Sequence, residues 1–84
     1  MAKKNENLFE NSVTHREIMN FAILYMVKKC EEQIEICNGD KEITKRHFGM
    51  YFAKLRLLCN AYEIETGEQY ELSAVCGLEY ADLN

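Results

Sequence analysis

One uninterrupted helical pattern in the first half of the sequence constrains the fold more than any other feature. It opens with Thr14 and Glu17, which have the spacing of a capping box. It closes with Asn38-Gly39, a pair that readily supplies the left-handed residue beyond the end of a helix. These signals predict a first helix over residues 15–37, about 35 Å long at 1.5 Å per residue.

The apolar residues of this helix cover more than one of its sides. One stripe follows the helical period and is expected to face a partner helix: Met19, Ile23, Met26, Val27, Cys30, Ile34 and Cys37. In the first half, five more apolar residues continue the surface almost all the way round: Ile18, Phe21, Ala22, Leu24 and Tyr25. A helix that is apolar on all sides is buried on all sides, and one partner helix cannot bury it.

A second helical pattern is expected to span residues 44–66. Thr44 fits an N-cap, although a start at Asp40 also fits, and Gly67 supplies the stop signal. Gly49 lies inside the pattern, where glycine costs about 1 kcal/mol relative to alanine. Close approach of a neighbouring backbone would account for that glycine.

The second helix has two apolar faces. The broad face is expected to meet the first helix and consists of Phe48, Tyr51, Phe52, Leu55, Leu58, Cys59 and Tyr62. The narrow face consists of Met50, Ala53, Leu57, Ala61 and Ile64. The short linker makes the two helices an antiparallel hairpin, which leaves the narrow face without a partner in the same chain.

The complete chain is expected to form one all-α domain over residues 1–84. It contains no proline, and 48% of its residues are hydrophobic, which is globular composition. Residues 1–11 are expected to be a loose N-terminal tail. Residues 70–76 are expected to form a short helix, with a further turn near 79–83.

Charge is unevenly distributed along the sequence. The chain has a formal charge of −4, but residues 41–60 carry +4 and residues 61–84 carry −6. An acidic chain is a poor ligand for DNA or an anionic membrane, so neither is expected as a partner. Either the acidic segment folds against the basic start of the second helix, or both are solvated, or the basic residues bind an anion. The candidate anion site consists of Lys45, Arg46, His47 and Arg56, with Lys41 nearby.

The N-terminal residues do not have the apolar region of a signal peptide, so a cytoplasmic location is expected. In a reducing compartment Cys30, Cys37, Cys59 and Cys76 are expected to be thiols. Their spacings of 7, 22 and 17 do not include the close pair typical of zinc sites. A redox or metal cluster of Cys30, Cys37 and Cys59 is the alternative to a structural role. No cofactor is expected.

The sequence does not contain a convincing set of catalytic groups. His15 and Glu17 are two residues apart and do not face one another on a helix. His47 stands alone, and a glycine-rich phosphate loop is missing from the sequence. A helix-turn-helix reading of residues 72–83 is rejected because Glu79 and Asp82 would face phosphates. The chain is therefore expected not to be an enzyme.

The apolar faces without a partner predict a small noncatalytic interaction module. Such a module would be a self-associating regulator or inhibitor that docks a partner protein, and pairing of hairpins into a helix bundle favours a homodimer. The expected interface residues are Phe21, Leu24, Tyr25, Met50, Leu57, Ala61 and Ile64. The alternative is an oligomer that binds an anionic small ligand, such as a nucleotide, at the basic residues near the start of the second helix.

Overall fold

The computed structural model describes residues 14–84 and confirms the all-α helical hairpin with a short C-terminal helical segment. The helices are α1 (His15–Ile36), α2 (Lys41–Thr66) and α3 (Leu72–Val75), followed by a 3₁₀ helix at Tyr80–Leu83. There is no β-strand within residues 14–84. The predicted tail at residues 1–11 lies outside the described residues.

Helix α1 begins at the predicted capping box. The hydroxyl Oγ1 of Thr14 accepts a hydrogen bond from the backbone N–H of Glu17 at 3.1 Å. In return, the carboxylate of Glu17 accepts the backbone N–H of Thr14 at 2.9 Å. Two backbone donors that have no partner inside the helix are thereby satisfied.

The end of α1 is a Schellman motif. The N–H of Gly39 donates to the carbonyl of Ile34 at 2.8 Å, and the N–H of Asn38 donates to the carbonyl of Glu35 at 3.0 Å. Asn38 has a φ of 58° and Gly39 a φ of 84°, so both lie in the left-handed region. The helix ends at Ile36 with Cys37 as its cap, one residue before the predicted end.

Helix α2 begins at Lys41, three residues earlier than the predicted start at residue 44. Asp40 is the N-cap, and its carboxylate accepts the backbone N–H of Ile43 at 3.0 Å. Thr44 is fully buried and its hydroxyl donates to the carbonyl of Asp40 at 2.7 Å. The Thr44 hydroxyl thus forms its hydrogen bond within the first turn of α2 and does not cap the helix. The cap is the carboxylate of Asp40, the residue before the helix.

A kink divides α2 at Phe48, whose φ of −129° and ψ of 31° are not helical. The predicted close approach at Gly49 is wrong, because a Cβ at that position would meet no atom within 4 Å. Gly49 instead follows the kink directly. Residues 49–66 then form a regular helix that ends at Gly67, where φ is 75° and the N–H donates to the carbonyl of Glu63 at 2.8 Å.

The core lies between the two long helices and the C-terminal segment. From the helices it takes Ile23, Val27, Cys30, Phe52, Leu55, Cys59 and Tyr62, and from the C-terminal segment Tyr70, Leu72, Leu78 and Leu83. The predicted helix at residues 70–76 is shorter than expected and covers Leu72–Val75. Tyr70 lies outside it because its ring is buried and its hydroxyl donates to the side-chain oxygen of Asn20 in α1 at 2.9 Å.

Polar contacts close the open end of the hairpin. The guanidinium of Arg16 donates to the hydroxyl of Tyr62 at 3.1 Å and also pairs with the carboxylate of Glu68. The ring of Tyr62 meets the ring of Tyr70 edge to face, with centroids 5.1 Å apart. The start of α1, the end of α2 and the segment after α2 are thereby joined.

Among residues 14–84, none of the helices is both long enough and apolar enough to cross a bilayer.

Candidate interaction surface

Every predicted interface residue of α1 lies on the surface of the folded chain. Phe21 is 72% exposed, and Leu24 and Tyr25 are also exposed. Ile18 is exposed as well, and it stands three residues before Phe21 and seven before Tyr25. Side chains three and four residues apart are neighbours on a helix, so these four form one apolar surface, here called the α1 patch.

One edge of the α1 patch, at Tyr25, is partly covered by a charged side chain of the same helix. The ammonium of Lys29 lies 5.3 Å from the centre of the Tyr25 ring and 3.8 Å from the carboxylate of Glu32. Beyond this edge the outward side of α1 is charged. The exposed apolar residues of α1 are therefore concentrated in its first half, and Ile36 is exposed separately at the end of the helix.

The predicted interface residues of α2 form a second exposed surface, the α2 stripe: Met50, Leu57, Ala61 and Ile64. Leu57 is 59% exposed and Ile64 is 85% exposed. On the opposite side of the same helix Phe52, Leu55, Cys59 and Tyr62 are buried. Ala53, the remaining member of the predicted narrow face, is half-buried at the edge of the stripe.

The structure adds Ile18 and Ile43 to the residues that the sequence assigned to the interface. Ile43 is exposed and lies seven residues before Met50, in the same series as Leu57 and Ile64. That seven-residue spacing is visible in the sequence and is the signal that assigns Ile43 to this series. The kink at Phe48 separates Ile43 from the other three residues.

The C-terminal segment covers the core and leaves both outward surfaces open. Leu72, Leu78 and Leu83 are almost completely buried, but Val75 is about half exposed. Residues 67–84 pack on one side of the hairpin, and large apolar side chains on the far sides of the two helices are exposed.

The candidate anion site is brought together only in part. Lys45 and Arg56 line one groove of about 440 Å³, whose floor includes Gly49 and Phe52. Arg46 and His47 are exposed and do not line this groove. Lys45 also lies 3.6 Å from the carboxylate of Glu42, which neutralises part of its charge.

Lys41 is engaged by the C-terminal segment. Its ammonium lies 3.3 Å from a carboxylate oxygen of Asp82 and donates to the carbonyl of Gly77 at 3.2 Å. The expectation that the acidic segment folds against the basic start of α2 is therefore confirmed for this pair.

The four cysteines differ in burial, and this bears on the predicted alternative of a Cys30–Cys37–Cys59 cluster: Cys37 and Cys76 are only half-buried. Cys30 and Cys59 are buried, and burial raises the pKa of the Cys30 thiol to about 12, with a smaller effect from Cys76. Burial also raises the pKa of Cys59. Within residues 14–84 no three His, Cys, Asp or Glu side chains are placed to hold a metal ion. The structure thus places the thiols of Cys30 and Cys59 in the apolar core, where burial disfavours the reactive thiolate form.

The two histidines lie apart on the surface. His15 is exposed, with its Nδ1 3.7 Å from the carboxylate of Glu65, while Glu17 is occupied by the cap of α1. His47 contacts the ring of Phe48 edge to face at 6.4 Å. Neither imidazole is paired with a nucleophile among the described residues.

Comparison with known proteins gives no relative from which a function could be transferred. No family model matches the chain, and neither a curated protein nor a solved structure is significantly similar to it. Function is therefore inferred from the chemistry of the exposed residues.

Proposed function

We propose that this chain is a small noncatalytic protein-interaction module, a self-associating regulator or inhibitor that docks a partner protein through apolar helix faces. The observation that supports the proposal is the exposure of all seven predicted interface residues: Phe21, Leu24, Tyr25, Met50, Leu57, Ala61 and Ile64. Contiguous exposed apolar surface is typical of interaction sites, because leaving it in water is unfavourable.

The arrangement of the surface also favours a binding role. Each apolar surface lies on a helix whose other side is anchored in the core, so the surface is rigid and pre-formed. Phe21 and Tyr25 supply aromatic side chains, which frequently act as anchors in protein interfaces. A partner helix could insert its own side chains between them at helical spacing.

Site-specific photo-crosslinking in the source cells tests the proposal. A photoreactive phenylalanine analogue would replace Phe21 in the α1 patch or Leu57 in the α2 stripe. Glu35, which is exposed near the end of α1 and lies about 15 Å along the helix beyond Tyr25, is the matched control position. We expect discrete protein adducts from positions 21 and 57 and none from position 35.

The masses of the adducts separate the possible results. An adduct with a second copy of this chain demonstrates self-association, and a reproducible adduct with a different protein identifies the docked partner. If positions 21 and 57 give no more adduct than position 35, the chain does not use these surfaces for protein binding and the proposal is wrong.

A second candidate function is binding of an anionic small ligand in the groove that Lys45 and Arg56 line together. The shared groove is the observation that favours it. Thermal-shift measurements with a panel of nucleotides test it, with Arg56→Gln as the binding-site variant and Lys28→Gln as the control. Stabilisation that Arg56→Gln abolishes supports this function, and unchanged melting with every nucleotide contradicts it.

A further inference from the structure

We infer that the α2 stripe is the contact surface of an antiparallel homodimer, in which α2 of one copy packs along α2 of a second copy. This inference rests on the proposed function. It names a second copy of the chain as the partner of the α2 stripe, one of the two surfaces proposed to bind protein. The α1 patch, which lies on the other long helix, then stays available for a different protein.

The shape of the α2 stripe fits a helix as its partner. Met50, Leu57 and Ile64 recur at seven-residue intervals, the spacing that keeps a seam of side chains facing a second helix. The stripe extends for about 21 Å along the regular part of α2. Ala53 and Ala61 lie beside these residues, and their small side chains let two helix backbones approach closely.

Charges on both sides of the stripe specify a second copy in the antiparallel direction. One flank carries Arg56 and then Glu63, and the other carries Lys54 and then Glu65, so each flank changes from basic to acidic along the helix. In a parallel pair, each flank would meet the opposite flank of the second copy. Arg56 would then face Lys54 of the partner subunit and Glu63 would face Glu65 of the partner subunit, so like charges would repel. In an antiparallel pair, Arg56 faces Glu63 of the partner subunit and Lys54 faces Glu65 of the partner subunit.

The two flanks agree on a single register. The pairs Arg56–Glu63 and Lys54–Glu65 have the same midpoint, which lies between residues 59 and 60. One two-fold axis at that point therefore satisfies both pairs in both copies. The two α2 helices then overlap over residues 53–66, so Leu57, Ala61 and Ile64 form the seam and Met50 lies beyond the end of the partner's helix. All four side chains of the two pairs are available for these contacts. Of the four, only Glu65 lies within 4 Å of a possible ion-pair partner among residues 14–84, namely His15, and the Glu65 side chain is still 46% exposed.

Asn60 lies next to this midpoint, on the same side of α2 as Leu57 and Ile64. In the dimer its amide faces the amide of Asn60 of the partner subunit, and a primary amide can donate to and accept from its own copy. A single asparagine in an otherwise apolar helix seam is a known means of fixing register. Asn60 would therefore favour this alignment over shifted ones.

Charge reversal tests the antiparallel arrangement directly. By sedimentation equilibrium at micromolar concentrations, Arg56→Glu and Glu63→Arg should each raise the dimer dissociation constant by about tenfold, because each variant places two like-charged pairs in the interface. The double variant Arg56→Glu/Glu63→Arg restores opposite charges across the two-fold axis. It should return the dissociation constant to the wild-type value.

A second variant tests the apolar contact. Leu57 is exposed in the single chain, so Leu57→Glu should leave the helix content measured by circular dichroism unchanged and yield a monomer. Glu32→Lys changes a charge on the outward side of α1 and should sediment like the wild type. These two variants separate loss of the interface from loss of the fold.

Two results would overturn the inference. One is a wild-type chain that sediments with its monomer mass of 9.8 kDa at every concentration tested. The other is a double charge-reversal variant that is no tighter than the single variants, which would exclude the antiparallel register. If the chain is monomeric but position 57 still crosslinks to a different protein, the inference and the self-association fail, while docking of a partner protein through the apolar helix faces stands. A monomer that also gives no adduct contradicts both.

Discussion

The ammonium of Lys41 lies 3.3 Å from the carboxylate of Asp82 and joins the first turn of α2 to the C-terminal 3₁₀ helix. The same carboxylate accepts the backbone N–H of Glu79 at 2.9 Å and so caps the 3₁₀ helix. One side chain therefore holds together two elements that are far apart in the sequence. The hydrogen bond from Glu79, aided by Lys41, lowers the pKa of Asp82 below its ordinary value of 3.8.

Asp82→Asn should lower the free energy of unfolding by about 1 kcal/mol at neutral pH, because it removes the charge from both contacts. The folded-state pKa of Asp82 is depressed, so its stabilising effect is present above pH 3.8 and is lost as the pH falls through the lower folded-state value. Urea denaturation at a series of pH values measures this. The difference between variant and wild type should disappear only in acid, and Glu35→Gln should show no difference at any pH.

Thr14→Ala should destabilise the chain by about 1 kcal/mol, because the N–H of Glu17 loses its acceptor at the start of α1. Glu17→Gln retains an acceptor oxygen for the N–H of Thr14 and should cost less. The measurement is the midpoint of urea denaturation for all three proteins at one concentration. An unchanged midpoint for Thr14→Ala would mean that this cap does not contribute to stability.

Two glycines of α2 should respond to alanine in opposite directions. Gly49→Ala should stabilise the chain by about 0.5–1 kcal/mol, because the new Cβ meets no atom within 4 Å and alanine favours helix. Gly67→Ala should destabilise it by about 1 kcal/mol, because the φ of 75° there is unfavourable for alanine. Thermal melting compares the pair. Equal shifts of the two melting temperatures would contradict the assigned backbone conformations.

Tyr80 should ionise only when the chain unfolds in alkali. Burial raises the pKa of Tyr80 well above its ordinary value of 10.0, and the nearby Cys59 adds to the effect. Since the folded-state pKa is raised, the stabilising effect of this phenol is present below pH 10.0 and is lost as the pH rises above it. Burial also raises the pKa of Tyr70. Ultraviolet titration followed together with circular dichroism should therefore place the late phenolate steps of Tyr80 and Tyr70 at the unfolding transition.

Tyr80→Phe is the variant for that titration. It should reduce the amplitude of the late absorbance change to that of Tyr70 alone and lower stability by about 1 kcal/mol, because the hydrogen bond to the carbonyl of Tyr70 is lost. Tyr25→Phe, at an exposed position, removes a phenol without removing a buried contact and should change neither quantity. A late absorbance change of undiminished amplitude in Tyr80→Phe would contradict the assignment to Tyr80.

Cys30 should be unreactive in the folded chain. Its pKa of about 12, compared with the ordinary 9.0, lowers the thiolate fraction by about a thousandfold near neutral pH, and the side chain is buried. Thiol labelling read by mass spectrometry should modify the half-buried Cys37 first. All four thiols should react after denaturation, and labelling of Cys30 at the rate of Cys37 would contradict its burial.

Helix ends that depend on neighbours in the chain were well predicted from the sequence. The capping box at Thr14 and the stop signals at Asn38-Gly39 and Gly67 all form as expected. Each depends on hydrogen bonds between residues no more than five apart. Such signals are complete within a short stretch of sequence, so they can be interpreted without knowing the rest of the fold.

The start of α2 could not be settled in this way, because Asp40 and Thr44 both carry side chains that cap helices. The tertiary structure decided between them by burying Thr44 in the core, where its hydroxyl bonds within the helix. The kink at Phe48 and the path from Tyr70 to Tyr80 likewise have no local signal. The path between Tyr70 and Tyr80 is fixed by the hydrogen bond that the Tyr80 hydroxyl donates to the Tyr70 carbonyl.

The sequence by itself determined two amphipathic helices, their antiparallel pairing and the apolar residues on each side. Only the tertiary structure decided which of those sides the chain covers with its own residues. Periodicity reports that Leu57 and Phe52 belong to different apolar faces, but it does not report what packs on either. Phe52 is buried and Leu57 is exposed because the C-terminal segment and α1 together close one side of α2 and do not reach the other.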